Sequence, residues 1–241
     1  MKFFDLESPL MQILNKVADL MILNILTVVC CIPVITTGAS LTAMHYVALK
    51  MARNEECYIA RDFFKSFKLN FRQGTVIWLI ELFIIAVLVG DFLIMSRMEM
   101  AFGSVLKVII TVIAFLALFT FIFVFPVLAK FENTVIRTVK NAFFIAVLQF
   151  PKAIVMMVLF VLPLPLFLFF PQITPIIFLF GLTVPAWLSA KMYSGYFRKL
   201  EEQIMAANAP EEGQSVREEG EDERIFKDEL DEALVDDSHI G

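Results

Sequence analysis

The stretch Lys50–Gly74, KMARNEECYIARDFFKSFKLNFRQG, is the longest charged interruption between the apolar segments of this chain. On a helix turning about 100° per residue, Phe63, Phe64, Phe67 and Phe71 fall on one stripe. Arg61, Lys65, Lys68 and Arg72 fall on the opposite one. An aromatic face against a basic face predicts a helix lying in the membrane–water interface. A solvated helix packing its Phe face on protein is the alternative.

Working outward, the apolar blocks set the class. The 241-residue chain is 59% hydrophobic, with 26 Phe and only 9 Gly. Its Leu, Ile, Val, Phe and Met cluster in blocks of about twenty residues, the length that crosses about 30 Å of hydrocarbon. Within lipid such blocks must satisfy their own backbone groups, so an all-α, polytopic membrane bundle is expected. Spans are expected near Ala18–Ile35, Thr75–Met95, Val105–Ala129, Ala153–Phe170 and Ile176–Tyr193. Ala39–Ala52 is too short for a confident span and reads as a short or re-entrant helix, giving five to six transmembrane helices in all. Small residues Ala39, Ser40 and Ala43 allow it close helix contact. Pro33 ends the first span, Thr36-Thr37-Gly38 reads as a turn with capping threonines, and Pro185 is expected to kink the last span.

Charge divides the chain. Residues 1–199 carry 17 Lys/Arg against 10 Asp/Glu, and residues 200–241 carry 3 against 15. The domains are therefore a helical membrane domain, 1–199, and an acidic tail, 200–241. The tail is expected to be largely disordered, with Phe226, Leu230 and Leu234 spaced for a short amphipathic helix. It reads either as a solvated tail or as a docking element for a basic surface such as the Arg61–Arg72 face. Basic residues crowd the loops before the second span and between the third and fourth, and follow the fifth. The opposite loops hold only Arg97 and Lys107. Both basic loops and the C-terminus are thus expected in the cytoplasm of a multi-pass protein of the bacterial cytoplasmic membrane. The acidic residues ahead of the first apolar run, with no small-residue cleavage site after it, read as an uncleaved N-terminus. RDFFKSFKLNFRQGTVIWL, from Arg61, aligns weakly with KNAFFIAVLQFPKAIVMMV, from Lys140, as an internal repeat.

Little chemistry is visible. Cys30, Cys31 and Cys57 lack paired spacing, and His45 and His239 are too few for a histidine metal cluster. No GxSxG, HExxH, Walker A or GxGxxG motif occurs, so no enzyme, catalytic residue, metal or cofactor is expected. The candidate functional polar residues inside the membrane are Asn24, His45, Glu81 and Asp91. Glu81 lies about 9 Å inside its span and has His45 as a conceivable partner. A helix-joining carboxyl is the plainer reading of Glu81, and a wetted span end that of Asp91.

The stretch Leu23–Ile80 carries a resemblance. Leu23-Asn24, Pro33-Val34, Thr36-x-Gly38-Ala39, Tyr46, Arg53-Asn54-Glu55-Glu56, Asp62-Phe63-Phe64-Lys65-Ser66-Phe67-Lys68 and Asn70-Phe71 resemble the YesL-like family of bacterial integral-membrane proteins, a domain of unknown function. KFENTVIRTVKNAFF, from Lys130, also looks like that family, whereas Thr27 and Cys57 depart from its pattern. The resemblance extends over about Ala18–Arg198, and the acidic tail lies outside it. Family members are often encoded beside carbohydrate-uptake genes, so the resemblance implies an accessory or interaction partner of a transport system. It carries no catalytic residue across. A small transporter or channel acting as an oligomer is the alternative. Membrane lipids, a transporter complex or another membrane protein, and a second copy of the chain are the expected partners; nucleic acid is not.

Overall fold

The computed structural model describes residues 9–97 and 103–208. Among these there is no strand. The helices are α1 (Pro9–Cys31), α2 (Thr37–Arg53), α3 (Ile59–Arg97), α4 (Gly103–Lys130), α5 (Val135–Leu148), α6 (Phe150–Val161), α7 (Pro163–Phe169), α8 (Thr174–Phe180) and α9 (Thr183–Asn208). Short 3₁₀ turns at Val34–Thr36 and Pro171–Ile173 join α1 to α2 and α7 to α8. The proposed helix around Phe226–Leu234, and His239, lie outside the described residues.

The short helix is the centre of the bundle. α2 packs against α1, α3, α4 and α9, and buries eleven of its seventeen residues, from Gly38 to Met51. Its small side chains explain why. A Cβ on Gly38 would collide with the carbonyl oxygen of Gly74 and stand 2.6 Å from Trp78 Cβ. One on Gly74 would lie 2.9 Å from the backbone nitrogen of Ala39. The two backbones touch where they cross, as small residues permit between membrane helices. Gly38 is therefore the second residue of α2 rather than part of a turn. Thr36 precedes the helix but makes no capping bond; its hydroxyl points back to the carbonyls of Cys30 (2.6 Å) and Pro33 (2.8 Å). At the other end Asn54 adopts φ 55°, a left-handed conformation that asparagine tolerates, and stops the helix.

The basic–aromatic stretch is not a separate helix laid in the interface. Lys50–Arg53 belongs to α2, and Ile59–Arg97 is one helix of 39 residues, about 58 Å long at about 1.5 Å per residue. That is about twice the hydrocarbon thickness. Gly74 does not break it, because the glycine is used for the crossing with α2. Its buried stripe, Ile59, Phe63, Ser66, Asn70, Gly74, Ile77 and Glu81, advances by three or four residues. Phe63 is fully buried, while Phe64 and Phe71 are exposed.

Among the prolines, Pro185 acts differently from expectation. Pro126 lies inside α4, which continues to Lys130. Pro185 is in the first turn of α9, where its missing N–H is not needed. The bend in that span comes earlier, between α8 and α9, and amounts to 53°. Pro163 starts α7 and divides the fourth apolar block. The internal alignment also fails at its centre: α3 passes through Asn70 unbroken, whereas its counterpart Gln149 separates α5 from α6.

Four helical segments are long and apolar enough to cross a membrane, Leu10–Cys31, Ile59–Ile94, Leu106–Lys130 and Phe150–Phe169, or five if the bent α8–α9 pair is one span. Beyond the bundle, α3 and α4 project as an apolar pair. No described side chain between Glu81 and Phe119 is buried, and Phe83, Phe92 and Val108 are each more than half exposed.

The crossing makes a test. Gly38→Ala should lower stability by at least about 2 kcal/mol, the usual cost of forcing a methyl into a filled contact. Gly90→Ala, whose Cβ would meet nothing within 4 Å, should be near neutral. Thermal unfolding of both variants in one detergent makes the comparison, and equal behaviour would remove the crossing as a constraint.

Candidate functional site

The polar side chains inside the bundle tie helices together, beginning with Asn24. The gap between α8 and α9 leaves backbone groups without helical partners. Asn24, on α1 and 1% exposed, meets them. Its amide nitrogen donates to Phe178 O at 2.7 Å, and its oxygen accepts from the N–H groups of Leu182 and Thr183 at 3.1 Å each. Thr183 Oγ1 returns a bond to Leu20 O at 3.0 Å. An asparagine from one helix thus caps another, and the bend is held from outside. Ser40 on α2 likewise donates to Thr27 O on α1 at 3.0 Å.

A second set joins α2 to α9. His45 is buried, with its Nδ1 3.5 Å from Tyr193 Oη, the long limit of a hydrogen bond, and its ring lies against Phe160. Two turns on, Arg53 grips Glu201 with both arms: Nη1 donates to Oε2 at 3.2 Å and Nη2 to Oε1 at 2.7 Å. The side chains are only 7% and 10% exposed. Two-armed Arg–carboxylate pairing fixes orientation as well as distance. Lys130 Nζ lies 4.0 Å from Glu201 and Glu55 3.8 Å from Arg53. The Arg53 Nε is buried without a hydrogen-bond partner.

The structure separates the remaining candidates. Glu81 is 6% exposed on the buried stripe of α3, and forms no hydrogen bond or ion pair among the described residues. His45 does not reach it. Gly38 meets Gly74 while Lys50 pairs with Asp62 at 3.6 Å, so α2 and α3 run antiparallel. From that crossing His45 and Glu81 lie seven residues away in opposite directions, about 21 Å of helix in total. Asp91 is exposed on the projecting pair. Arg61, Lys68 and Arg72 are exposed and Lys65 is half-buried, so the basic face does look outward. In the α2–α3 turn, Cys57 is half-buried beside Asp62. Burial and then the hydrogen bond to that carboxylate push its thiol up to about 12, away from nucleophilic behaviour. Among the described residues no three His, Cys, Asp or Glu side chains converge as a metal site.

Sequence reasoning missed Arg53 and Glu201 as a pair, and missed Tyr193 and Thr183. Arg53 counts as a topogenic charge in a linear reading, and Glu201 as the first acid of the tail. The signal lay in composition: an arginine closing a helix of small, buried residues needs a carboxylate from somewhere. Helix α9 in fact runs to Asn208 and packs Leu200 and Ile204 against the core, past the expected domain boundary at 199–200.

Against known proteins, a family described as "Protein of unknown function, DUF624" matches residues 20–92. The match covers most of α1, all of α2 and most of α3, and so includes Asn24, the Gly38–Gly74 crossing, His45 and Glu81. No curated protein and no solved structure matches. The chain is therefore similar, over its first three helices, to a family whose function is unknown.

Breaking the α2–α9 pair has a defined outcome. Glu201→Ala should destabilise the protein by about 3 kcal/mol, because it leaves a buried guanidinium uncompensated. Arg53→Met combined with Glu201→Leu should recover most of that loss. Additive losses in the double variant, measured by thermal unfolding in detergent, would mean the two residues act separately.

Proposed function

We propose that this is a non-catalytic integral protein of the bacterial cytoplasmic membrane. Its role is that of an accessory or interaction partner of a transport system such as carbohydrate uptake. One observation carries the reading. The bundle uses its buried polar groups, Asn24, Ser40, Thr183, Arg53 and Glu201, as ties between helices, while α3 and α4 extend an apolar surface beyond the bundle. Such a surface suits lipid or the helices of another membrane protein. The YesL-like resemblance fits this reading through its association with carbohydrate-uptake genes, and the match of residues 20–92 is to a family of unknown function. Mild-detergent co-purification with mass spectrometry is its test. A stable transporter complex is expected, and it should be lost when Phe83 and Val87 are changed to Ser. A lone homo-oligomer would overturn the proposal.

A small transporter or channel acting as an oligomer is the second reading. The bent α8–α9 pair with backbone groups met by Asn24, and the buried Glu81, favour it. Uptake in vesicles separates the two. Transport that survives Glu81→Asp but fails in Glu81→Gln at matched expression supports the second reading. Flux absent in every variant supports the first.

The orientation belongs to the same proposal. Both basic stretches and the C-terminus face the cytoplasm, because Lys and Arg crowd those loops. In intact cells a cysteine at Gln172 should be labelled by an impermeant reagent and one at Lys68 shielded; the reverse pattern would invert the topology.

A further inference from the structure

The first half of α3 carries an outward basic face. Arg61, Lys68 and Arg72 are exposed at spacings of seven and four, so they form one stripe about 16 Å long. Arg61, Lys68 and Arg72 have no carboxylate partner among the described residues. Phe64 and Phe71 are 42% and 41% exposed along its edge. A surface that mixes cations with aromatic rings takes an anionic ligand that also carries apolar side chains.

The chain carries such a segment. The Arg53–Glu201 pair pins α9 to the end of α2, and five residues, Asn54–Tyr58, separate α2 from the start of α3. α9 ends at Asn208, two turns beyond Glu201. The chain outside the structure therefore leaves from the end of the bundle at which α3 begins with Arg61 in its first turn. That remainder, residues 209–241, holds 13 Asp/Glu against 3 Lys/Arg. Its only regularly spaced apolar residues, Phe226, Leu230 and Leu234, are interleaved with Asp228, Glu229, Asp231 and Glu232. The eighteen steps from Asn208 to Phe226 can span at most about 60 Å, enough to lay this segment along the stripe.

We infer that residues 226–237 of the same chain dock on the Arg61–Arg72 face of α3, as an internal acidic ligand. Phe226, Leu230 and Leu234 meet Phe64 and Phe71, and the carboxylates meet the arginines and lysines. The tail thereby covers the surface on which anionic lipid headgroups or an acidic partner would otherwise bind. The inference stands apart from the proposed transport role and does not depend on it.

Zero-length carbodiimide cross-linking of the full chain in phosphatidylcholine nanodiscs tests it, because only carboxylates in contact with lysines react. Peptide mapping of the monomer band should show Lys65 or Lys68 joined to acids within 228–232. The yield should drop by about fivefold in 0.5 M salt, where the Debye length falls to about 4 Å. The double variant Arg61→Glu/Arg72→Glu keeps both lysines and should lose the same links by a similar factor. Leu230→Lys/Asp231→Lys leaves the bundle untouched and should do likewise. Links to Lys140 or Lys199 instead, links found only between two chains, or yields indifferent to the variants would overturn the proposal. Disappearance of the links when anionic lipid replaces phosphatidylcholine would assign the face to lipid and overturn it as well.

Discussion

The contact between the backbones of Gly38 and Gly74 is the constraint on which the rest of the arrangement depends. Two helices that touch through glycine bring their axes closer than any pair separated by side chains. That closeness leaves room for α1, α4 and α9 to reach the same short helix, so α2 becomes the common wall of the bundle. Its length follows from this position. Seventeen residues suit a helix enclosed by protein on every side, and the Gly, Ala, Ser and Thr of its first two turns are an interface composition rather than a lipid-facing one.

With α2 fixed, polar groups decide how the later helices close around it. Lipid tails are as apolar as leucine, so apolar burial alone distinguishes poorly between one helix packing and another. Directional bonds do distinguish. Asn24 accepts only a chain that presents two free N–H groups and a carbonyl at the right spacing, which a helix break supplies and a continuous helix does not. Arg53 accepts only a carboxylate in its plane. The bend at Gly181–Leu182 and the register of α9 are thus set by residues on α1 and α2, far away in sequence.

The apolar blocks were legible in the chain because hydrocarbon imposes a length and a composition, and the helix at Gly103–Lys130 follows directly, whereas α1 begins at Pro9, nine residues before the expected Ala18, and ends at Cys31. The short helix was legible for the same reason, through its small residues. The continuity of α3 was not. Its amphipathic first half and apolar second half look like two objects in a linear reading, and Gly74 looks like the joint. Only the partner backbone shows that the glycine serves contact and not flexibility. Among the candidate polar residues, Asn24 and Glu81 are buried as their apolar surroundings suggest. Pairing His45 with Glu81 failed because side-chain type says nothing about the direction in which two helices run. Arg53–Glu201 was hidden by separation: the partners stand 148 positions apart in the chain.

That separation bears on how the molecule is made. A chain emerging from the ribosome completes α1, α2 and α3 long before α9 exists, and their mutual contacts are local enough to form early. During that interval Arg53 has no Glu201 to hold it, and its guanidinium must stay hydrated at the end of α2. Arrival of the last helix dries that corner and locks it. A chain that stops before α9 would therefore keep one wet, separable seam at the end of α2 that the Arg53–Glu201 pair closes in the finished bundle.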